Sequence, residues 1–108
     1  MSGFDKREKN EEAKYALDQQ LLFKATARRN KLLGLWAAEL MGKSGEEAAG
    51  YAVEVVKADF EEAGDEDVFR KVSGDLSAAG VDQSEHQIRR QMEELMAVAA
   101  EQVKAEAG

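Results

Sequence analysis

Two arginine pairs, Arg28–Arg29 and Arg89–Arg90, are the side chains of this sequence best suited to hold a phosphate. A guanidinium offers a planar fork of donors that grips phosphate or carboxylate oxygens two at a time, which an ammonium cannot do. Brought together by a fold, the four could receive ADP or ATP weakly; kept apart on helix surfaces, they are solvated charge. The single histidine, His86, stands beside Glu85 in the expected first turn of a helix and off its apolar side, which suits a surface position better than a general base. The acidic run of residues 61–67, EEAGDED, could attract a cation, but it lacks the alternating oxygen ligands and later bidentate glutamate of a calcium loop. With no cysteine, neither disulfides nor thiolate metal sites contribute. A glycine-rich phosphate loop, a paired-histidine zinc motif and a serine elbow are also missing. The expectation is a chain without catalytic residues, metal or resident cofactor.

The elements that must position these residues follow from composition and periodicity. A chain of 108 residues is one small domain, and zero prolines with abundant Ala, Glu and Lys indicate an all-α chain. Its organising stretch is Leu21 to Gly42, in which Leu21, Leu22, Ala25, Leu32, Leu33, Trp36 and Leu40 share one helical face. Arg29 falls inside that stripe and either snorkels to its edge or pairs with a carboxylate from another helix. Gly34 interrupts good helix formers, as a close helix–helix approach would require. Ser44 and Glu47 fit a capping box opening a second helix, with Ala48, Tyr51, Ala52, Val55, Val56 and Phe60 inward and a stop at Gly64. Asp65, Glu66 and Asp67 suit the start of a third, which carries Val68, Phe69, Val72 and Leu76 inward and closes at Gly80. Ser84 and Gln87 form a second capping box, after which Ile88, Met92, Leu95, Met96, Ala99 and Val103 trace an apolar face and residues 106–108 fray. Short connections predict antiparallel neighbours in a monomeric four-helix bundle, with Trp36 buried and the later helices covering the inner half of the first.

Charge is unevenly spread along the chain. The net charge is −7, yet residues 17–43 carry five basic and two acidic side chains, whereas residues 44–108 carry six basic and sixteen acidic. Internal complementarity between a basic helix and an acidic remainder accounts for this, and the overall sign argues against nucleic acid as a partner. No apolar run reaches the roughly 18 residues of a membrane span, and no signal peptide opens the chain, so a soluble cytoplasmic protein is expected. Residues 1–16 carry four basic and four acidic side chains, with only Phe4 and Tyr15 large and apolar. That is too little to hold the segment on a core. It should fray alone and fold as a helix in a partner's groove, where Phe4 and Tyr15, eleven residues apart, share a face.

The runs KATARRNKLLGLWAAELMG, YAVEVVKADFEEAGDEDVFRKV and QIRRQMEELMAVAAEQ closely resemble the zeta subunit of alphaproteobacterial F-type ATP synthases. The resemblance covers nearly the whole chain, least tightly at residues 8–14. It implies a four-helix bundle over residues 17–108 and a mobile inhibitory segment over residues 1–16. The partner it implies is the catalytic head of the membrane-bound synthase, without membrane insertion of the chain itself. The segment would enter a catalytic interface of that head and block ATP hydrolysis. Phe4 and Tyr15 would then be apolar anchors, with Asp5, Lys6, Arg7, Glu8, Glu11 and Lys14 as polar contacts.

Overall fold

The computed structural model describes residues 19–60 and 64–107. Those residues form four helices, α1 (Gln19–Leu40), α2 (Gly45–Ala58), α3 (Glu66–Ala78) and α4 (Glu85–Ala107). No strand occurs among them, and no helix is long and apolar enough to cross a membrane. The expected segment 1–16 lies outside the described residues.

α1 lies between α2 and α4, whose backbones stay apart, while α3 packs against all three. Gly34 meets Ala52, and Thr26 and Ala27 border the same small cavity as Asp59 and Phe60, so α1 and α2 run antiparallel. Arg28 reaches Gln102 and Glu106, whereas Leu33 and Ala37 share a core with Ile88 and Met92, so α4 is antiparallel to α1 as well. The core is Leu33, Ala37, Ala38, Tyr51, Val55, Val68, Phe69, Val72, Leu76, Ile88 and Met92.

The surrounding helices bury more of α1 than one apolar stripe predicts. Leu33 belongs to the expected face, but Asn30, Gly34, Ala37 and Ala38 are buried beyond it. At about 100° per residue the buried positions sweep more than half of the helix circumference. Small residues on the added arc let α2 come close. A Cβ on Gly34 would stand 2.6 Å from the Ala52 Cα, so the helices touch backbone to side chain there. The stripe is also displaced from its expected centre. Leu22 and Leu40 are exposed, and Trp36 is half-buried against the edge of the core instead of within it.

Some ends of the helices follow the capping signals and others depart from them. Gly42 and Gly80 adopt positive φ (79° and 78°), and the residue after each turns back to bond the helix: Lys43 N–H to Ala38 O at 2.8 Å, Val81 N–H to Leu76 O at 2.9 Å. Ser84 and Gln87 form the expected reciprocal box, with bonds of 2.8 and 3.1 Å. Ser44 occupies the cap of α2 but makes no side-chain cap bond, so the box with Glu47 is not formed. α2 ends at Ala58, well before Gly64, and leaves Phe60 70 % exposed instead of in the core. α4 persists to Ala107, because Glu106 is held by Arg28 where fraying was expected.

Candidate functional site

The four arginines singled out by their chemistry sit on α1 and α4, and each already holds a carboxylate. Arg29 is 3 % exposed; its Nε donates to Asn30 Oδ1 at 2.7 Å and its Nη2 to Asp65 Oδ1 at 2.8 Å. The charge inside the apolar stripe is therefore paired with the acidic part of the chain, and Asp65 ties the α2–α3 connection to α1. Arg28 points to the other side of α1, where Nη1 bonds Gln102 and Nη2 bonds both oxygens of Glu106, all at 2.8 Å. Arg89 reaches Glu85 at 2.9 Å and Glu66 at 3.0 Å while its guanidinium lies 4.0 Å above the Phe69 ring. The Glu85 hydrogen bond, aided by Glu66, holds Arg89 above its ordinary value against the opposing effect of burial. Arg90 takes Glu94 one turn on, at 3.3 Å.

The fold brings Arg29 and Arg89 to one cleft of about 290 Å³, shared with Asp65, Met92, Glu93 and Met96. Arg90 borders a neighbouring depression with His86, Arg89 and Glu93, and Arg28 lies away from both. A phosphate entering the cleft meets two guanidinium groups and also two carboxylates. Of the acidic run, Glu61 and Glu62 lie outside the described residues. Asp67 is buried and its Oδ1 accepts the Val68 N–H at 2.9 Å, a helix-start bond and not a ligand position. His86 is exposed in the first turn of α4, as its sequence neighbours imply.

The Arg29 pair makes a definite prediction. Lysine cannot meet Asn30 and Asp65 together, so Arg29→Lys should destabilise the protein by about 1–2 kcal/mol. Arg29→Met should also destabilise, since it strips Asn30 Oδ1 of its donor. Thermal melts of both variants coinciding with the parent would show that the pair contributes nothing.

A second polar cluster joins α2 to α3. The Tyr51 hydroxyl donates to Asp75 at 2.9 Å, and Lys71 reaches Asp75 at 3.1 Å and Glu54 at 3.2 Å while lying 5.3 Å from the Tyr51 ring. Burial, and then the Asp75 hydrogen bond, push the Tyr51 hydroxyl far above its ordinary value. Burial works against the charged Lys71, but its bonds to Asp75 and Glu54 outweigh that and leave it raised.

Beside Arg29, Asn30 Nδ2 is the one buried side-chain polar atom without a hydrogen-bond partner among the described residues. It borders a cavity of about 30 Å³ with Asp59, whose carboxyl feels Asn30 and Arg29 without meeting the geometry of a bond to Nδ2. Burial pushes Asp59 above the ordinary carboxylate value, and Asp67 and Asp65 push the same way. The folded state then holds this proton more tightly than the unfolded chain, so stability falls as pH rises through the folded value from the usual range near ~4. Asp59→Asn should remove that fall and leave the protein at least as stable at neutral pH. Melts taken across the acidic range should show a flatter profile for the variant; an unchanged slope would place the titration elsewhere.

The exposed aromatic residue on the outer face of α1 was not anticipated. Phe23 is 64 % exposed, and it lines a trough with Lys24, Ala27, Lys31 and Val56 that continues to Phe60. Phe23 sits about 200° from Leu21 on the helix, well off the apolar stripe, and an aromatic there is the signal that could have disclosed this face.

An α-helical bundle that commits these four arginines to its own carboxylates, and presents an aromatic and basic face outward, has the make-up of a binding protein. Comparison with known proteins gives the class its family. The family described as ATPase inhibitor subunit zeta matches residues 1–102, and the chain belongs to it. A protein solved by solution NMR is 62 % identical, covers 78 % of this chain and 95 % of its own, and superposes with a TM-score of 0.69. No curated protein matches.

Proposed function

We propose that this protein restrains ATP hydrolysis by an F-type ATP synthase. Residues 1–16 insert as a helix into a catalytic interface of the ATPase head and prevent it from closing. Phe4 and Tyr15 anchor that helix, and Asp5, Lys6, Arg7, Glu8, Glu11 and Lys14 supply the polar fit. The bundle limits how far the segment enters and presents α1 already folded. The observation that carries this reading is the family match, which begins at residue 1 and so includes the segment as well as the bundle. The free protein is a monomer in this reading, a regulator without catalysis of its own, working on the cytoplasmic side at the membrane-bound synthase. Adding the protein to the cognate ATPase should lower its hydrolysis rate in a concentration-dependent way. An unchanged rate at saturating protein would overturn the proposal.

The convergence of Arg29 and Arg89 on one cleft favours a second reading, in which the bundle senses ADP or ATP. Asp65 and Glu93 line the same cleft, so a nucleotide phosphate would have to displace the Arg29–Asp65 pair, and binding would be weak. Chemical-shift changes around Arg29 and Arg89 on titration with ADP or ATP would support it; shifts elsewhere or none would remove it.

A further inference from the structure

We propose that the outer face of α1, together with the end of α2, is a second docking surface that takes an acidic, amphipathic segment of the ATPase head. The inference rests on the functional reading above, and adds to it a partner contact separate from residues 1–16.

The apolar part of the surface is built from both helices. Val53, Val56 and Phe60 recur at i, i+3 and i+7 along the outer side of α2 and its following turn, and Val53 and Phe60 are 52 % and 70 % exposed. Phe23 and Ala27 of α1 border the same cavity as Val56 and Phe60. Two phenylalanines exposed this far, side by side at a groove between helices, are the anchors that interfaces use and free surfaces seldom display.

Charge selects the occupant. Lys71, Arg28, Arg29, Arg89 and Arg90 all hold carboxylates of the chain itself. Lys24, Lys31, Lys43 and Lys57 have no carboxylate within ion-pair distance among the described residues. Three of those four flank the phenylalanines: Lys24 and Lys31 line the trough, and Lys57 shares a side of α2 with Val53 and Phe60. Of the described carboxylates bordering the groove, Glu106 is bound to Arg28 and Asp59 is half-buried beside Asn30. Among the described residues, an acid-rich chain thus leaves three of its four unpaired lysines around Phe23 and Phe60. The complementary partner presents an apolar ridge with carboxylates on its flanks, as an acidic amphipathic helix does.

The test measures inhibition of the cognate ATPase by the full chain and by variants at low and high salt. Phe23→Asp and Phe60→Asp should raise the half-inhibitory concentration by about tenfold or more. The pair Lys24→Glu and Lys57→Glu should raise it less and reduce its dependence on salt. Val98→Asp, on the exposed side of α4, should inhibit like the parent. Melting curves accompany each variant, and the lysine changes, confined to exposed side chains, decide the matter if a phenylalanine variant is unstable. If the parent inhibits and the phenylalanine and lysine variants all match it, this surface does not dock and the functional reading stands. If the parent fails to inhibit, that reading falls and this one with it. If sedimentation shows a dimer that Phe60→Asp dissolves, the occupant is a second copy of the chain and the proposal is overturned.

Discussion

Removal of residues 1–16 should abolish inhibition of the ATPase while leaving helicity and melting nearly unchanged. Sixteen residues with two large apolar side chains have little to contribute to a core that, among the described residues, runs from Ala25 to Val103. Within the segment, Phe4→Ala and Tyr15→Ala should weaken inhibition more than Asn10→Ala, because buried aromatic anchors dominate interface energies. A free peptide of residues 1–16 should inhibit poorly, since it must order its entire helix on binding, whereas the intact chain offers α1 as a template. Dose–response curves for the four proteins and the peptide, set beside their melts, check this. Full inhibition by the truncated bundle would move the inhibitory surface to the outer face of α1.

A second effect, on stability, belongs to Gly34. Alanine is the better helix former by roughly 1 kcal/mol, so propensity alone would make Gly34→Ala stabilising. Packing opposes it. The new methyl would stand 2.6 Å from the Ala52 Cα and 3.2 Å from both Ala52 Cβ and Val55 Cγ2. The nearest of these atoms is backbone, which cannot rotate away, so α1 and α2 must separate along their contact. Overpacking of this kind costs about 1–3 kcal/mol and should outweigh the propensity gain. Gly74→Ala in α3 is the matched control, because a Cβ there meets nothing within 4 Å and only the propensity gain remains. Thermal melts should therefore move in opposite directions for the two variants. A Gly34→Ala melt at or above that of the parent would mean that the helices adjust to the methyl freely.

Periodicity makes the inward faces of α3 and α4 legible, because on these helices large apolar side chains mark the buried arc. Val68, Phe69, Val72, Leu76, Ile88, Met92, Ala99 and Val103 all lie inside as their spacing implies. α1 defeats the same reasoning. It is packed from several sides, so its buried arc includes Asn30, Gly34, Ala37 and Ala38, residues that no hydrophobicity scale ranks above the exposed Leu22 and Leu40. Phe60 was expected inside on spacing alone, but α2 unwinds after Ala58 and the ring is left outside the core. The partner of Arg29 could be anticipated as a carboxylate but not as Asp65, because the contact depends on how the α2–α3 connection returns to α1. The inhibitory segment is legible only through resemblance. A run of mixed charge with two aromatic residues states that it needs a partner without describing the groove it fits.

The central position of α1 also bears on the order in which the fold assembles and comes apart. Its contact with α2 closes across residues 41–44, whereas its contact with α4 spans nearly the whole chain, with Arg28 and Glu106 separated by 78 positions. Loop-closure entropy favours the short circuit first, so α1 and α2 are the natural nucleus and α4 the late arrival. With no proline in the chain, none of these steps waits on peptide isomerisation. Opening retraces that order. The α4 backbone packs against α1 and α3 and stays apart from that of α2, so it can leave while the α1–α2 hairpin stays paired, opening the cleft that holds Arg29. In hydrogen-exchange experiments the amides of α4 should accordingly report an opening of lower free energy than those around Gly34 and Ala52.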